Sequence, residues 1–401
     1  MKPVFLRLAL LVTMALTLLG STPHKSGNPA DYYRFDYPFY ANPVSITYDP
    51  GMIVRSPDNL TEGTIRDTYR TLRRRPTAGL INSLLAAKER LQLNDYLFYK
   101  LARNSLKVVY SDIPDSQNAQ EITLYSMLVD VGFDARLTYR GNEVFVNVYT
   151  NDDLFEVPII DANGRPYANI SCLEGNCDGR QRLFILRDQP NPRGRSFSFQ
   201  LRNWPALNAQ PILKDMAFNY HGQVRKMRVT FDQTMVDIMS DYPFISEYCY
   251  LETPLSPTLR NSLLPQLKQQ LEPLVRQEQL ELLASFTRSA FNYKEDTEYF
   301  GRSKPMVPEE LFGYSFSDCE DRSALFFALV RDLLDLPMAV VAYDDHLTIA
   351  VASETIPGDA FRYKEQRYVF CDPTGPRNSS VIGRIPPGYE DKNFQIIGTY
   401  K

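Results

Sequence analysis

One succession occurs twice in this chain: a helical stretch, a second helix, then two short strand-like runs joined by a turn. Leu97, Leu101, Arg103 and Leu106 match Leu282, Phe286, Arg288 and Phe291 at a constant spacing of 185 residues, within segments whose apolar residues recur at helical intervals. Leu128-Val129-Asp130 corresponds to Leu329-Val330-Arg331, and Ile159-Ile160-Asp161-Ala162-Asn163-Gly164 to Phe370-Cys371-Asp372-Pro373-Thr374-Gly375. The pattern predicts an internal duplication. With 401 residues, the chain is long enough to bury two cores.

Between and around the two copies the periodicity changes. Residues 22–59 are rich in Tyr, Pro and Asn and read as an extended lead-in. Residues 60–166 form the first copy. Leu80, Leu84, Ala87 and Leu91 mark one helix and Leu97 to Leu106 the next, with Asn94-Asp95 as the cap between them. Residues 167–252 carry short alternating runs broken by Pro and Gly, and read as a β-rich middle domain. Residues 253–265 hold three prolines and read as a linker. Residues 266–401 form the second copy, in the order helix (320–335), strand (338–343), strand (347–352), strand (368–371).

The N-terminus places Lys2 and Arg7 before an apolar run over 8–19 and then Gly20-Ser21-Thr22, the order of a secretory signal. Residues 1–21 are therefore read as a signal peptide and the protein as exported, to periplasm or cell exterior. The run is shorter than a spanning helix, so no membrane span is expected in the mature chain. A net charge of −4 lacks the basic excess of a nucleic-acid binder. Five cysteines (Cys172, Cys177, Cys249, Cys319, Cys371) suit an oxidising compartment. Cys172 and Cys177 suggest a short-loop disulfide, and Cys371 is either buried or bridged to Cys249. No metal site and no cofactor are expected, since 3 His leave too few ligands. Arg73-Arg74-Arg75 reads as a solvated helix end.

The chemistry-bearing residues lie in the second copy. In Ser317-Asp318-Cys319-Glu320 the Ser and Glu have capping-box spacing, with Ser317 as the N-cap and Cys319 in the first helical turn. Free backbone N–H groups there favour a thiolate and can steady an oxyanion. Asp318, Glu320 and Asp321 oppose this unless Arg322 or an imidazolium offsets them. A nucleophilic Cys needs a base, and beyond the extended lead-in the chain offers only His221 and His346. His346, opening an apolar strand, is favoured. Asp372, at the end of the next strand, would orient the imidazole.

This order, with Phe300-Gly301, Lys304-Pro305, Pro308-Glu309-Glu310, Ser317 to Ser323, His346 and Cys371-Asp372-Pro373-Thr374, resembles the transglutaminase-like superfamily, in an exported branch seen in Bacteroidota. The resemblance covers about residues 280–387. It implies a papain-like fold and carries the nucleophile, base and orienting acid over to Cys319, His346 and Asp372. Gly before the Cys, an aromatic two residues after the His, and Trp before the Asp are replaced by Asp318, Thr348 and Phe370. The oxyanion donor is open between Tyr293 and Tyr314.

The expected fold class is thus α+β, with a papain-like, transglutaminase-like C-terminal domain, a degenerate N-terminal copy of it, and a β-rich middle domain. From Leu97 to Asp161 there is neither Cys nor His, so that copy cannot run the same chemistry. The expected function is a cysteine enzyme attacking a peptide or isopeptide amide through a thioester, hydrolytic rather than cross-linking. The expected partner is a protein or peptide substrate, cell-envelope material included, and not nucleic acid. The alternative is a non-catalytic module binding envelope peptide or glycan.

Overall fold

The computed structural model describes residues 24–25, 32–174, 182–187, 194–314, 316–375 and 382–401. The expected signal lies outside them, as does Cys177, the expected partner of Cys172.

The chain is a mixed α/β protein with two large hydrophobic cores and a smaller third cluster on the second sheet. It opens with β1 (His24–Lys25), β2 (Tyr33–Phe39) and β3 (Asn42–Tyr48), a three-stranded antiparallel sheet. The expected lead-in is therefore ordered. Its alternation buries Phe35, Phe39, Val44 and Ile46 against the first core, and the Tyr and Pro content masked that period-2 signal.

Four helices follow: α1 (Glu62–Leu72), α2 (Ala78–Arg90), α3 (Asp95–Val109) and α4 (Gln117–Asp130). Asn94 caps α3 as its residue type predicts, its side chain accepting from Leu97 N–H at 3.0 Å. Next come β4 (Ala135–Arg140), β5 (Glu143–Tyr149), β6 (Ile159–Ala162), β7 (Arg165–Asn169) and β8 (Phe184–Ile185). They form one antiparallel sheet, ordered β6-β7-β5-β4-β8.

No separate β domain follows among the described residues. β7 and β8 belong to the first sheet, and residues 197–201 pair in no ladder. The remaining strands, β9 (Pro211–Tyr220) and β10 (Gln223–Asp232), make one long hairpin packed on two helices of the second core. After α5 (Gln233–Ser240) and α6 (Glu247–Glu252), the expected linker is the start of α7 (Pro257–Leu271). Ser256 caps α7, accepting from Leu259 N–H at 3.1 Å, and Pro257 occupies N1, where a missing N–H costs nothing. Pro265 sits inside the helix. Leu259, Leu263, Leu267 and Leu271 still bury one stripe, which outweighs the lost bond.

The second half comprises α8 (Arg276–Ala290), β11 (Asn292–Tyr293), α9 (Asp296–Tyr299), α10 (Pro308–Gly313), β12 (Phe316–Ser317) and α11 (Cys319–Leu334). Its last strands are β13 (Met338–Ala342), β14 (Leu347–Ala352), β15 (Ala360–Tyr363), β16 (Gln366–Phe370) and β17 (Gln395–Tyr400). Every residue from Asp321 to Val330 is buried, so α11 is a central helix, apolar all round from Ala324 to Val330. The sheet order is β15-β16-β14-β13-β17, antiparallel throughout.

The two five-stranded sheets therefore repeat one topology, strand for strand. The ladders correct one expected correspondence. Asn147 faces Asn169 as Ala350 faces Phe370, which pairs β7 with β16 and the edge strand β6 with β15. Ile159 to Gly164 thus corresponds to the β15 edge, not to Phe370 to Gly375. Among the described residues, no helix is long and apolar enough to cross a membrane.

Candidate active site

Cys319 is the first residue of α11, as expected, but the N-cap is Asp318 rather than Ser317. Asp318 Oδ1 accepts from the N–H groups of Glu320 (3.1 Å) and Asp321 (3.4 Å), and Asp321 Oδ2 accepts from Asp318 N–H at 3.0 Å. A capping carboxylate outcompetes a hydroxyl because its bonds are charge-assisted. Two of the N–H groups expected to steady an oxyanion are therefore taken.

His346 ends the turn between β13 and β14 and is nearly buried, with 12% of its side chain exposed. Its Nε2 lies 3.4 Å from Asp372 Oδ1 and 3.4 Å from Thr374 Oγ1. Thr374 Oγ1 donates to Asp372 Oδ1 at 2.8 Å, and Thr348 Oγ1 adds a third contact at 3.2 Å. Burial alone would raise the Asp372 carboxyl, but the hydrogen bond and charge of His346, with Thr374, hold it below its usual range. Tyr389 stacks on the imidazole, centroids 4.9 Å apart. With Nε2 turned to Asp372, Nδ1 is the nitrogen left for a second partner.

Cys319 and His346 line one cavity of about 270 Å³, and the N–H of Leu347, the residue after His346, is directed at the Cys319 sulfur. His221 is remote, at the tip of the β9–β10 hairpin, more than half exposed. The three expected site residues thus come together, and the other candidate base does not.

The electrostatics run against a resting thiolate. Burial, then Asp318, Glu320 and Glu295, push the Cys319 thiol well above its ordinary range, opposed only by the Leu347 N–H. Arg322 does not offset them. Its guanidinium donates to Ser317 Oγ and to the carbonyls of Thr374 and Phe291. Behind the thiol, Asp296, Asp318 and Asp321 lie with carboxylate oxygens within 4.8 Å of one another, the residues that could hold a cation. Each also accepts backbone N–H bonds, Asp296 from Lys304 and Asp321 from Met306. Burial and mutual repulsion raise Asp296 to about 7 and Glu320 to about 8.

Sequence reasoning missed four contributors. Thr374 was visible as the Asx-turn partner in Asp-Pro-Thr, and Thr348 by its alternation on β14 with the site-facing end. Tyr389 and Arg288 act over long sequence separations and left no local signal. Arg288 is buried in α8 and donates to the Asp372 carbonyl, while its Nε and Nη1 have no partner. Of the two oxyanion candidates, Tyr293 is beside the thiol but donates to Glu295, and Tyr314 packs on Phe300 and Tyr299. Cys249, Cys319 and Cys371 are all free thiols, so the suggested Cys249–Cys371 bridge is absent. Cys371 is buried, as the strand alternation next to Asp372 requires.

In the first half, the ladders and helix starts put Gln117, Glu143 and Ser171 at the positions of Cys319, His346 and Asp372. Ser171 Oγ donates to Glu121 Oε2 at 2.6 Å, and Glu121 pairs with Arg103 at 2.6 Å. An ion pair and a hydroxyl fill that place.

No family model matches the chain, and neither a curated protein nor a solved structure matches it.

Proposed function

We propose that the protein is a cysteine-dependent acyl-transfer enzyme that opens an amide bond through a thioester on Cys319. The observation that carries this reading is one cavity holding a helix-N-terminal Cys and an imidazole whose Nε2 is fixed by Asp372. The resemblance to the transglutaminase-like superfamily, with its papain-like fold, supports it.

Because the thiol rests protonated, His346 acts as a general base during attack and not as half of a standing ion pair. As sulfur bonds to the carbonyl carbon, the thiol proton passes to His346 Nδ1. When the carbon–nitrogen bond breaks, that proton leaves on the departing amine. Water then adds hydroxide to the acyl carbon and returns a proton to sulfur, giving acid and free enzyme. Asp372 keeps the ring oriented and stabilises its charged form. A protein or peptide substrate outside the cell, where water is abundant, favours hydrolysis over amine transfer, in keeping with the secretory pattern of residues 1–21.

The raised thiol favours a second reading, a binding module for envelope peptide or glycan. Alkylation of Cys319 by iodoacetamide against pH, read by peptide mass spectrometry in the native protein and His346→Ala, separates the two. Labelling that depends on His346 supports the enzyme. An ordinary thiol profile, unchanged by the substitution, supports the binding module.

A further inference from the structure

The cavity beside Cys319 has one sign of charge. Asp318, Glu320 and Glu295 surround the thiol, and Glu247, Asp296, Asp344 and Asp345 complete the acidic lining. These acids come from four separate places: α6, the segment entering α9, the start of α11, and the β13–β14 turn. Among the described lining residues there is no Lys or Arg.

The nearby cations are already committed, one of them to an acid of the cavity itself. Lys304 pairs with Glu310, Lys392 with Asp345 at 3.4 Å, and Arg322 with backbone carbonyls. Glu320 Oε2 is enclosed and has no hydrogen-bond partner, an acidic oxygen left unpaired at the cavity. The other titratable groups at the cavity are His346 and the phenols of Tyr343, Tyr293 and Tyr389. None of these phenols supplies positive charge.

Resting on the reading of Cys319 as the nucleophile, we propose that the group entering this cavity is a cation, an ammonium or guanidinium carried by the substrate, and that its arrival activates the thiol. The physics is reciprocal. A positive charge among Glu295, Asp318 and Glu320 cancels the field that holds the proton on sulfur, so the substrate supplies the counter-charge that Arg322 does not. Anionic substrates are excluded by the same field.

Charged methanethiosulfonate reagents test this on the full chain, in EDTA and at low ionic strength, with modification of Cys319 read by peptide mass spectrometry. Rates are normalised to those of a small free thiol. The cationic aminoethyl reagent is expected to react roughly tenfold or more faster than the anionic sulfonatoethyl reagent. The ratio should shrink with added salt and in the Glu247→Gln, Glu295→Gln double variant. Both of those residues sit on the surface, outside the cores. Millimolar ethylammonium should also accelerate labelling by neutral iodoacetamide in the native protein and less in the variant. A normalised ratio near one, or one the double variant leaves unchanged, overturns the proposal. If iodoacetamide labelling still depends on His346 in that case, the nucleophile reading survives alone. Charge-selective labelling that ignores His346→Ala overturns the nucleophile reading and the activation that rests on it.

Discussion

Glu309 offers a test of how this fold handles buried acids. It is fully buried at the start of α10, where Oε1 accepts from Asp232 N–H at 2.8 Å and Ser256 Oγ at 2.9 Å. Oε2 takes a longer bond, 3.3 Å, from Ser256 N–H. The residue ties the end of β10 and the cap of α7 to the segment that leads into the site. Burial raises its carboxyl from 4.5 to about 7, against those hydrogen bonds. The folded protein therefore holds the proton more tightly than the unfolded chain does. Stability from this group is complete below pH 4.5, falls as pH rises toward 7, and levels off above it. The loss is about 3 kcal/mol, the raised interval converted at ~1.4 kcal/mol per unit. Gln has the shape of the protonated acid and does not titrate. Glu309→Gln should match the native protein within about 1 kcal/mol near pH 4.5 and exceed it by about 3 kcal/mol near pH 8. Urea unfolding of both proteins across that range gives the difference, in which the other titrating acids cancel. A difference that stays flat with pH would refute the argument that the folded site holds Glu309 neutral.

Asp318→Asn keeps the cap, since Asn caps as well as Asp, and removes a charge beside the thiol; iodoacetamide labelling of Cys319 near neutral pH should rise roughly tenfold, one pKa unit. Thr374→Val removes the 2.8 Å bond to Asp372 and should cost about 1 kcal/mol in urea unfolding while slowing His346-dependent labelling several-fold. Arg103→Met strands Glu121, buried with Arg103 in the first half; unfolding should show a loss of about 3 kcal/mol, with labelling of the folded protein unchanged. Gly398→Ala would put a methyl 2.1 Å from the Tyr248 ring, which lies across β17, and thermal unfolding should report about 1–3 kcal/mol of overpacking.

The helices and inner strands of both halves were readable because their periodicity is local: Leu97 to Leu106 marks α3, and the apolar run from Leu347 marks β14. The readings that failed did so where a residue's usual meaning was overridden by its neighbours. Three prolines made residues 253–265 look like a linker, yet Ser256-Pro257 is a helix start and the buried leucine stripe carries α7 past Pro265. Ser317 looked like a cap until the adjacent Asp318 took the helix N–H groups. In the site, Cys319, His346 and Asp372 could be ordered along the chain because each ends or begins an element. Asp296, Tyr389 and Arg288 could not, since their meeting depends on tertiary geometry alone.

The two halves dispose of their polar groups differently, and the difference bears on function. At the place where the first half holds Arg103, Glu121 and Ser171, charges cancel and hydrogen bonds close on one another. At the matching place in the second half, Arg288 keeps two unpartnered nitrogens, Glu320 an unpartnered oxygen, and three carboxylates crowd a protonated thiol. Chains free of functional demand tend to resolve such conflicts, because each buried unpaired polar atom costs about 1–3 kcal/mol. At that one place the same backbone accommodates a paired solution, although Asn147 and Asn169 on the adjoining strands keep unpaired buried oxygens. Unbalanced charge retained beside Cys319 is therefore best understood as awaiting a partner of opposite sign, and Asp318→Asn and the charged thiol reagents ask from two sides whether that partner sets the reactivity of the sulfur.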